Sequence, residues 1–496
     1  MRIGGLASGM DIDSTVKQLM KAVRVPLDKL NQQKQLLEWK RDGYRNVSTT
    51  LVGFNEKLSL YNKTDSIDSK KASVTGASNV LTATATGAAN NSVLNISVTN
   101  LATASSVVST NGKANATKIS DVYSGGADSI TIGTATISFE ADETIDSLVK
   151  KINNNKNTGV TAVYDSVSGN MSFTNRETGE KDISLSGALL TSLGMTNVKK
   201  GEDATVMING LKTTQSSNNF TINGVNISLT GTSPTGQTTQ VQVTQDIDKM
   251  VDTIKSFVET YNATLATLNQ KTSEERFRKF LPLSTEQKAD MKDDEIKLWE
   301  SKAKSGMLRN DSIVDKTLAD MRAALVGDVV LPGGSVLPDG SVVPKDAKIN
   351  MTQIGITTGS YSEKGKLVLD ETKLREALQA NPDKVTALFA QTDTSSKTDY
   401  TSRDGLFNRL KKINNISLGT LYDKAGTSKV SSDPTVSFIV SSQMGQELRN
   451  FETRITDMNA RLTMKENQYY KQFTAMETAM NKYNSTSSSL MSMLSR

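Results

Sequence analysis

Asp11 and Asp13 could supply half of a metal site, and Asp293-Asp294-Glu295 could supply paired carboxylates for acid–base work. A Ca²⁺ ion needs about six or more oxygens from a shaped loop, and the residues around Asp11 form no such pattern. Helix capping accounts for the first pair. For the second, the positive end of a helix dipole, with Lys292 and Lys297 alongside, accounts for the charge. Ser301-Lys302 and Ser362 with Lys364 place a hydroxyl near an amine, but neither lies in a nucleophile elbow. Gly4-Gly5-Leu6-Ala7-Ser8-Gly9 lacks the lysine and preceding strand of a phosphate loop. The methionines between 444 and 493 recur at three- and four-residue steps, which describes a packing seam rather than a soft-metal site. Trp39 and Trp299 fall in helical patterns and read as core or interface anchors.

The inventory narrows the chemistry further. The chain has 0 cysteines and 0 histidines, so disulfides, thiolate nucleophiles, thiolate zinc sites and imidazole acid–base catalysis are excluded. No enzyme activity, cofactor or metal is expected. The net charge of +5 is small, and Lys and Arg are mixed with Asp and Glu rather than clustered, which argues against nucleic-acid binding. Met1 to Gly9 has no apolar signal core, and no apolar run approaches the ~20 residues of a bilayer span, so no membrane insertion is expected. Two locations remain: the cytoplasm, or outside it by a route that reads no such signal. A hydrophobic fraction of 36% with 5% aromatics is lean for one large globule and suits small domains and solvated helices.

The elements that would carry such surfaces are long helices at both ends and β-structure between them. Leu30, Lys34, Leu37, Arg41, Tyr44, Val47, Leu51, Phe54, Leu58 and Tyr61 keep one helical stripe. Pro26 is expected to start this helix and separate it from an earlier one carrying Val16, Leu19, Met20 and Val23, capped by Asp13 or Ser14. Leu448, Phe451, Ile455, Met458 and Leu462 form a matching seam that runs through Tyr469 and Phe473 to Tyr483, with a stutter after Lys465. The tail from Ser485 to Ser489 is expected to fray. From Ala72 to Thr244 the period becomes two, with turn signals at Asn209-Gly210 and Asn223-Gly224. After Thr244 helical spacing returns, interrupted by a loop over Leu331 to Pro344.

The expected fold is α+β and multidomain: a terminal coiled-coil or helical-bundle stalk with an inserted pair of mostly antiparallel β domains. The divisions are 1–42, pairing with 441–496; 43–71 as the first stalk helix; 72–118 with 202–244 as a β domain; 119–201 as a small inserted β domain; and 245–440 as helical stalk with the loop 331–344. Long apolar seams at both ends ask for a partner helix.

The opening Ile3-Gly4-Gly5-Leu6-Ala7-Ser8-Gly9-Met10-Asp11-Ile12-Asp13 resembles the signature start of the flagellar cap family, also called hook-associated protein 2. Leu19-Met20, Pro26-Leu27-Asp28-Lys29-Leu30 and Leu37-Glu38-Trp39-Lys40-Arg41-Asp42 follow as in that family. Gly133 to Thr174 is similar to a small β module shared with flagellins. Phe280 to Ser284 with Trp299, Ile354-Gly355-Ile356-Thr357, and Asn381-Pro382-Asp383 with Leu388-Phe389 extend the likeness over most of the chain. Arg24-Val25 departs from it, standing where many relatives carry an acidic residue.

The resemblance implies a secreted structural protein at the filament tip, exported through the flagellar type III channel. It implies a homo-oligomeric ring, often a pentamer, that retains flagellin and promotes its insertion. It further implies contact with the hook–filament junction protein and an export chaperone at the C-terminal helix. The assembly contacts expected are Leu6, Met10, Ile12, Leu19, Leu30, Leu37, Phe451, Ile455, Met458 and Leu462, each of which could equally be an intrachain knob. The alternatives are a flagellin or hook–filament junction protein of the same export system, and a surface adhesin whose Thr/Asn-rich β domains bind a host glycan or mucin.

Overall fold

The computed structural model describes residues 9–77, 79–334, 342–344 and 346–494. They fall into two compact units, Met1–Asn62 with Val251–Arg496, and Lys63–Met250. Helix α1 (Ile12–Tyr61) opens the chain, and Asp11 caps it by accepting the Ser14 N–H at 3.0 Å. The cap is therefore neither Asp13 nor Ser14, and Pro26 does not divide the helix but lies inside it. Proline removes one ladder hydrogen bond, which frees the carbonyl of Ala22. Both Pro26 and Ala22 are exposed, so that carbonyl can turn to water and the helix continues.

The second unit follows in chain order. Its elements are α2 (Thr64–Ile67), β1 (Lys70–Gly76), β2 (Leu81–Ala85), β3 (Ser92–Asn100), β4 (Ala104–Val108), β5 (Asp128–Ile132), β6 (Ala135–Phe139) and α3 (Ile145–Asn154). Then come β7 (Val160–Asp165), β8 (Asn170–Thr178), β9 (Leu185–Ser186), α4 (Ala188–Ser192), β10 (Ala204–Ile208), β11 (Leu211–Gln215), β12 (Asn219–Ile222), β13 (Val225–Leu229) and β14 (Thr239–Gln245). An antiparallel sheet ordered β1-β14-β3-β10-β11 shares one core with the sheet β12-β13-β2. Alternation sends Leu94, Ile96 and Val98 of β3 inward with Val206 and Val241, while Asn95 faces out. Asn209-Gly210 and Asn223-Gly224 close the hairpins with φ of 49° and 86°, and 48° and 78°. Those paired positive angles are what a type I′ turn demands.

A separate core gathers the sheets β4-β8-β7 and β6-β5-β9 around α3 and α4, with Ile130, Phe139, Leu148, Ile152, Phe173 and Leu190 buried together. Thr144 caps α3 by accepting the Ser147 N–H at 3.2 Å. Strand β4, expected with the larger β region, pairs instead with β8: Val107 lies opposite Phe173 and is buried beside it.

The first unit resumes along α5 (Ile247–Ser273), α6 (Thr285–Ala289), α7 (Asp293–Lys304) and α8 (Ser312–Val326). Two short antiparallel pairs follow, β15 (Val329–Val330) with β16 (Lys348–Ile349) and β17 (Ile356–Thr358) with β18 (Leu367–Leu369). Of the expected loop over Leu331 to Pro344, residues 335–341 lie outside the described part. Helices α9 (Glu371–Ala380), α10 (Pro382–Ala390), α11 (Leu406–Ala425) and α12 (Gln443–Leu494) complete the unit. Ser284 and Gln287 form the capping box of α6, and Asn381 with Pro382 opens α10. Helix α12 does not fray at Ser485 to Ser489 but continues to Leu494. The hydroxyls there bond back one turn, Thr486 to the Lys482 carbonyl at 2.8 Å and Ser489 to that of Ser485 at 2.9 Å.

The bundle core is aromatic. Phe257 packs edge-on to Phe389 at 5.7 Å and Phe407 at 5.1 Å, with Tyr261 and Phe54 adjoining. Beside it the fully buried Arg409 donates to five backbone carbonyls, those of Asp404 (2.8 Å), Ala324 (3.0 Å), Gly327 (2.8 Å), Asp328 (2.6 Å) and Ser402 (3.0 Å). It thereby satisfies the open C-terminal end of α8 and ties it to the start of α11.

Candidate functional site

Helices α1 and α12 run antiparallel, with Asp13 opposite Tyr470 and Lys34 opposite Glu452. Three- and four-residue spacing brings Ile12, Val16 and Met20 of α1 onto Leu462 of α12, and these four side chains are buried. Val23, Leu27, Met458, Tyr469, Tyr470 and Phe473 are half-covered against them. Two helices can close only the seam between them, so the flanks of both stay wet.

Polar contacts fix the register. The Tyr470 hydroxyl donates to Asp13 Oδ1 at 2.8 Å, and Lys34 Nζ lies 3.1 Å from Glu452 and 3.5 Å from Glu38. Burial alone would lower the Lys34 pKa, but the two carboxylates outweigh it and hold the ammonium above its ordinary range. Arg24 reaches Glu286 of α6 at 3.7 Å with both groups about half exposed, a contact worth little.

Farther along, α1 is fastened to the bundle. Gln32 donates to the Pro282 carbonyl at 2.9 Å, and Arg41 donates to the carbonyls of Ala425 at 2.8 Å and Ile439 at 3.1 Å. The guanidinium groups of Arg41 and Arg45 lie 4.0 Å and 3.6 Å from the Phe438 ring centre. The buried Tyr44 hydroxyl donates to Asp311 at 2.6 Å, and burial with that carboxylate pushes its pKa well up. Trp299 packs on Phe280 at 4.6 Å and donates its indole N–H to the Leu281 carbonyl at 2.8 Å.

The sequence-predicted contact residues divide by exposure. Ile12, Leu30 and Leu462 are buried; Leu37, Phe451, Ile455 and Met458 are half-buried. Met10 and Leu19 are 40% and 41% exposed, and Leu6 lies outside the described residues. Leu19 stands off the seam because its neighbours Val16 and Met20 take the inward positions. Met464, Tyr483, Met491 and Leu494 are more exposed still. The sequence reading did not pick out Tyr470, Phe438 or Arg45. The Tyr469-Tyr470 pair was a usable signal, since of two adjacent helical aromatics one must leave the stripe. Nothing comparable marks Phe438, which sits in an irregular segment. Of the carboxylates considered earlier, Asp11 and Glu295 are capping groups: Glu295 accepts the Lys292 N–H at the start of α7 at 3.1 Å.

Comparison with known proteins follows the same outline. The family described as Flagellar hook-associated protein 2 C-terminus matches residues 201–485, its N-terminus counterpart matches 8–105, and the Flagellin hook IN motif matches 123–177. The Flagellar hook-associated protein 2 of Halalkalibacterium halodurans is 32% identical over 99% of this chain and 99% of its own length. That of Escherichia coli K12 is 24% identical over 98% of this chain and 96% of its own. A crystal structure of the flagellar cap protein FliD D1-D2-D3 domains from Escherichia coli aligns with a TM-score of 0.53 at 22% identity, covering 78% of this chain and 97% of that one. At that identity the structural match speaks for the fold alone.

Proposed function

Because this chain belongs to the flagellar hook-associated protein 2 family, we propose that it is the structural cap at the distal end of the flagellar filament. In this reading copies of the chain form a ring, a pentamer in the first instance, that retains exported flagellin and guides its insertion. The observation that carries it is the antiparallel α1–α12 pair, which buries one narrow seam and leaves apolar side chains along its flanks. Ile12, Leu30 and Leu462 hold the pair in shape, while Met10, Leu19, Leu37, Phe451, Ile455 and Met458 make the contacts between copies or with flagellin. Leu6 joins them as an expectation from the sequence. The hook–filament junction protein below and an export chaperone on α12 are the further partners. The work is done by binding and rearrangement, with no covalent step, outside the cell at the filament tip. The domain divisions drawn from the sequence, with β4 moved to the small β domain, serve this arrangement: the paired ends assemble, and the β region between 72 and 244 is the part that varies.

The test is genetic. A strain lacking this chain is expected to shed flagellin monomers and carry hooks without long filaments. Normal filaments in that strain would end the cap assignment. In the purified protein, Leu19→Glu is expected to reduce the ring population in sedimentation while leaving the melting curve unchanged. Rings at the parental level would remove Leu19 from the contact set.

A further inference from the structure

The chain has 18 methionines and 0 cysteines, so thioethers are its only sulfur and meet an oxidant with no thiol to intercept it. They are not placed evenly. Met250, Met321, Met351 and Met444 of the bundle are 0% to 4% exposed, and Met171 and Met195 of the small β core are as well covered. Among the described residues the exposed methionines are Met10, just before α1, and Met464, Met476, Met480, Met491 and Met493, all on α12.

The course of α12 accounts for this division. Tyr470 lies opposite Asp13, at the start of α1, and from there α12 runs on for about 36 Å at 1.5 Å per residue. Over that length Phe473, Met476, Met480 and Tyr483 continue the seam at three- and four-residue steps, and α1 has no turn left to lay over them. Met476 and Met480 are 38% and 39% exposed. Met464 points away from the seam that Leu462 enters and is 65% exposed, and Met491 and Met493 are more exposed still.

Exposure decides the chemistry. A thioether sulfur attacks an oxygen of a hydroperoxide, so that an S–O bond forms as the O–O bond breaks. Sulfur gives up two electrons, the peroxide is reduced, and its other oxygen leaves as water or an alcohol with the transferred proton. The protein need supply no acid, base or metal, so access to sulfur sets the order of reaction. The product is a polar, chiral sulfoxide where a flexible apolar side chain had been.

We propose that outer α12 is a modification site for hydroperoxides: Met464, Met476, Met480, Met491 and Met493 become sulfoxides ahead of the methionines of the bundle and the β cores, and the added oxygens weaken association of copies through this helix. The buried contacts of Ile12, Val16, Met20 and Leu462 are untouched, so the α1–α12 pair persists while its outward surface turns polar. Reversal takes a sulfoxide reductase, because a chain without thiols cannot return the electrons itself. The effect on association rests on the assembly proposed above, whereas the order of oxidation does not.

The test treats the full-length protein with hydrogen peroxide at neutral pH and follows each methionine by peptide mass mapping, folded and in guanidinium. In the folded protein the five α12 methionines are expected to oxidise about tenfold faster or more than Met250, Met321 and Met351. In guanidinium the rates should converge. Equal rates in the folded protein would overturn the site. In sedimentation, the oxidised parent is expected to need about tenfold more protein to reach the same ring population, with its helical signal kept. The combined variant Met464→Leu, Met476→Leu, Met480→Leu, Met491→Leu and Met493→Leu stays apolar without sulfur and should keep its rings through the same treatment. Unchanged association of the oxidised parent, an equal loss in the leucine variant, or unfolding of α12 would overturn the effect on assembly. The mass map requires no ring, and filament growth is scored on untreated cells, so this proposal and the cap assignment can fail separately.

Discussion

In the bundle, Phe257, Phe389, Phe407 and Arg409 lie out of contact with water, and five carbonyls are answered by one guanidinium. In the terminal pair, the outer parts of α1 and α12 form one cluster of four buried side chains, Ile12, Val16, Met20 and Leu462, and the aromatics against it are only half-covered. The same chain thus contains a region that completes its own core and one that does not. The first is paid for by aromatic packing within one copy. The second gains from every further helix laid against it, which is the behaviour expected of an assembling surface.

Removing Arg409 should strike hardest, because the bundle has put all its weight on it. Arg409→Ala takes the guanidinium from five carbonyls, of which that of Ser402 still accepts the Val330 N–H, and a loss of about 4 kcal/mol or more is expected in urea unfolding. A loss under about 1 kcal/mol would mean that water replaces the side chain freely and the bundle is less closed than described. Next comes Leu462→Ala in the pair, where the thin shell limits the cost to about 2 kcal/mol. Its helical signal should melt earlier while the bundle transition stays in place; a joint shift of both would erase the contrast. The smallest effect is electrostatic. The Thr401 hydroxyl and Ser395 N–H hold the Asp393 pKa down to about 2, and its backbone N–H donates to Asp404, whose carbonyl accepts from Arg409. A folded value below the unfolded one contributes stability above about pH 4 that is lost as pH falls toward 2. Asp393→Asn should therefore melt slightly below the parent at pH 7 and alongside it near pH 2. A gap that persists at pH 2 would assign the difference to something other than charge.

Much of this was legible beforehand, for reasons that can be named. The seams of α1 and α12, the hairpins at Asn209-Gly210 and Asn223-Gly224, and the caps of α6 and α10 rest on local periods and turn chemistry, which one sequence carries. Pro26 misled because the rule against interior proline assumes a buried carbonyl, and burial is tertiary. Strand β4 misled because alternation does not say which sheet a strand joins. Within the terminal pair, the sequence marked the stripe but not which of Leu19 and Met20 faces inward. The place of Arg409 could not be foreseen, since it depends on segments dozens of residues apart meeting in space.

The unbroken course of α1 has one mechanical consequence. Between Gln32, held on the Pro282 carbonyl, and Asp13, paired with Tyr470, the helix forms a lever arm of about 28 Å at 1.5 Å per residue. A pivot of roughly 10° at its fastened base would carry the far end through an arc of roughly 5 Å, close to the width of a side chain. Small adjustments in the bundle would therefore arrive magnified at the terminal pair, and Pro26, with its missing hydrogen bond, marks where the arm would flex.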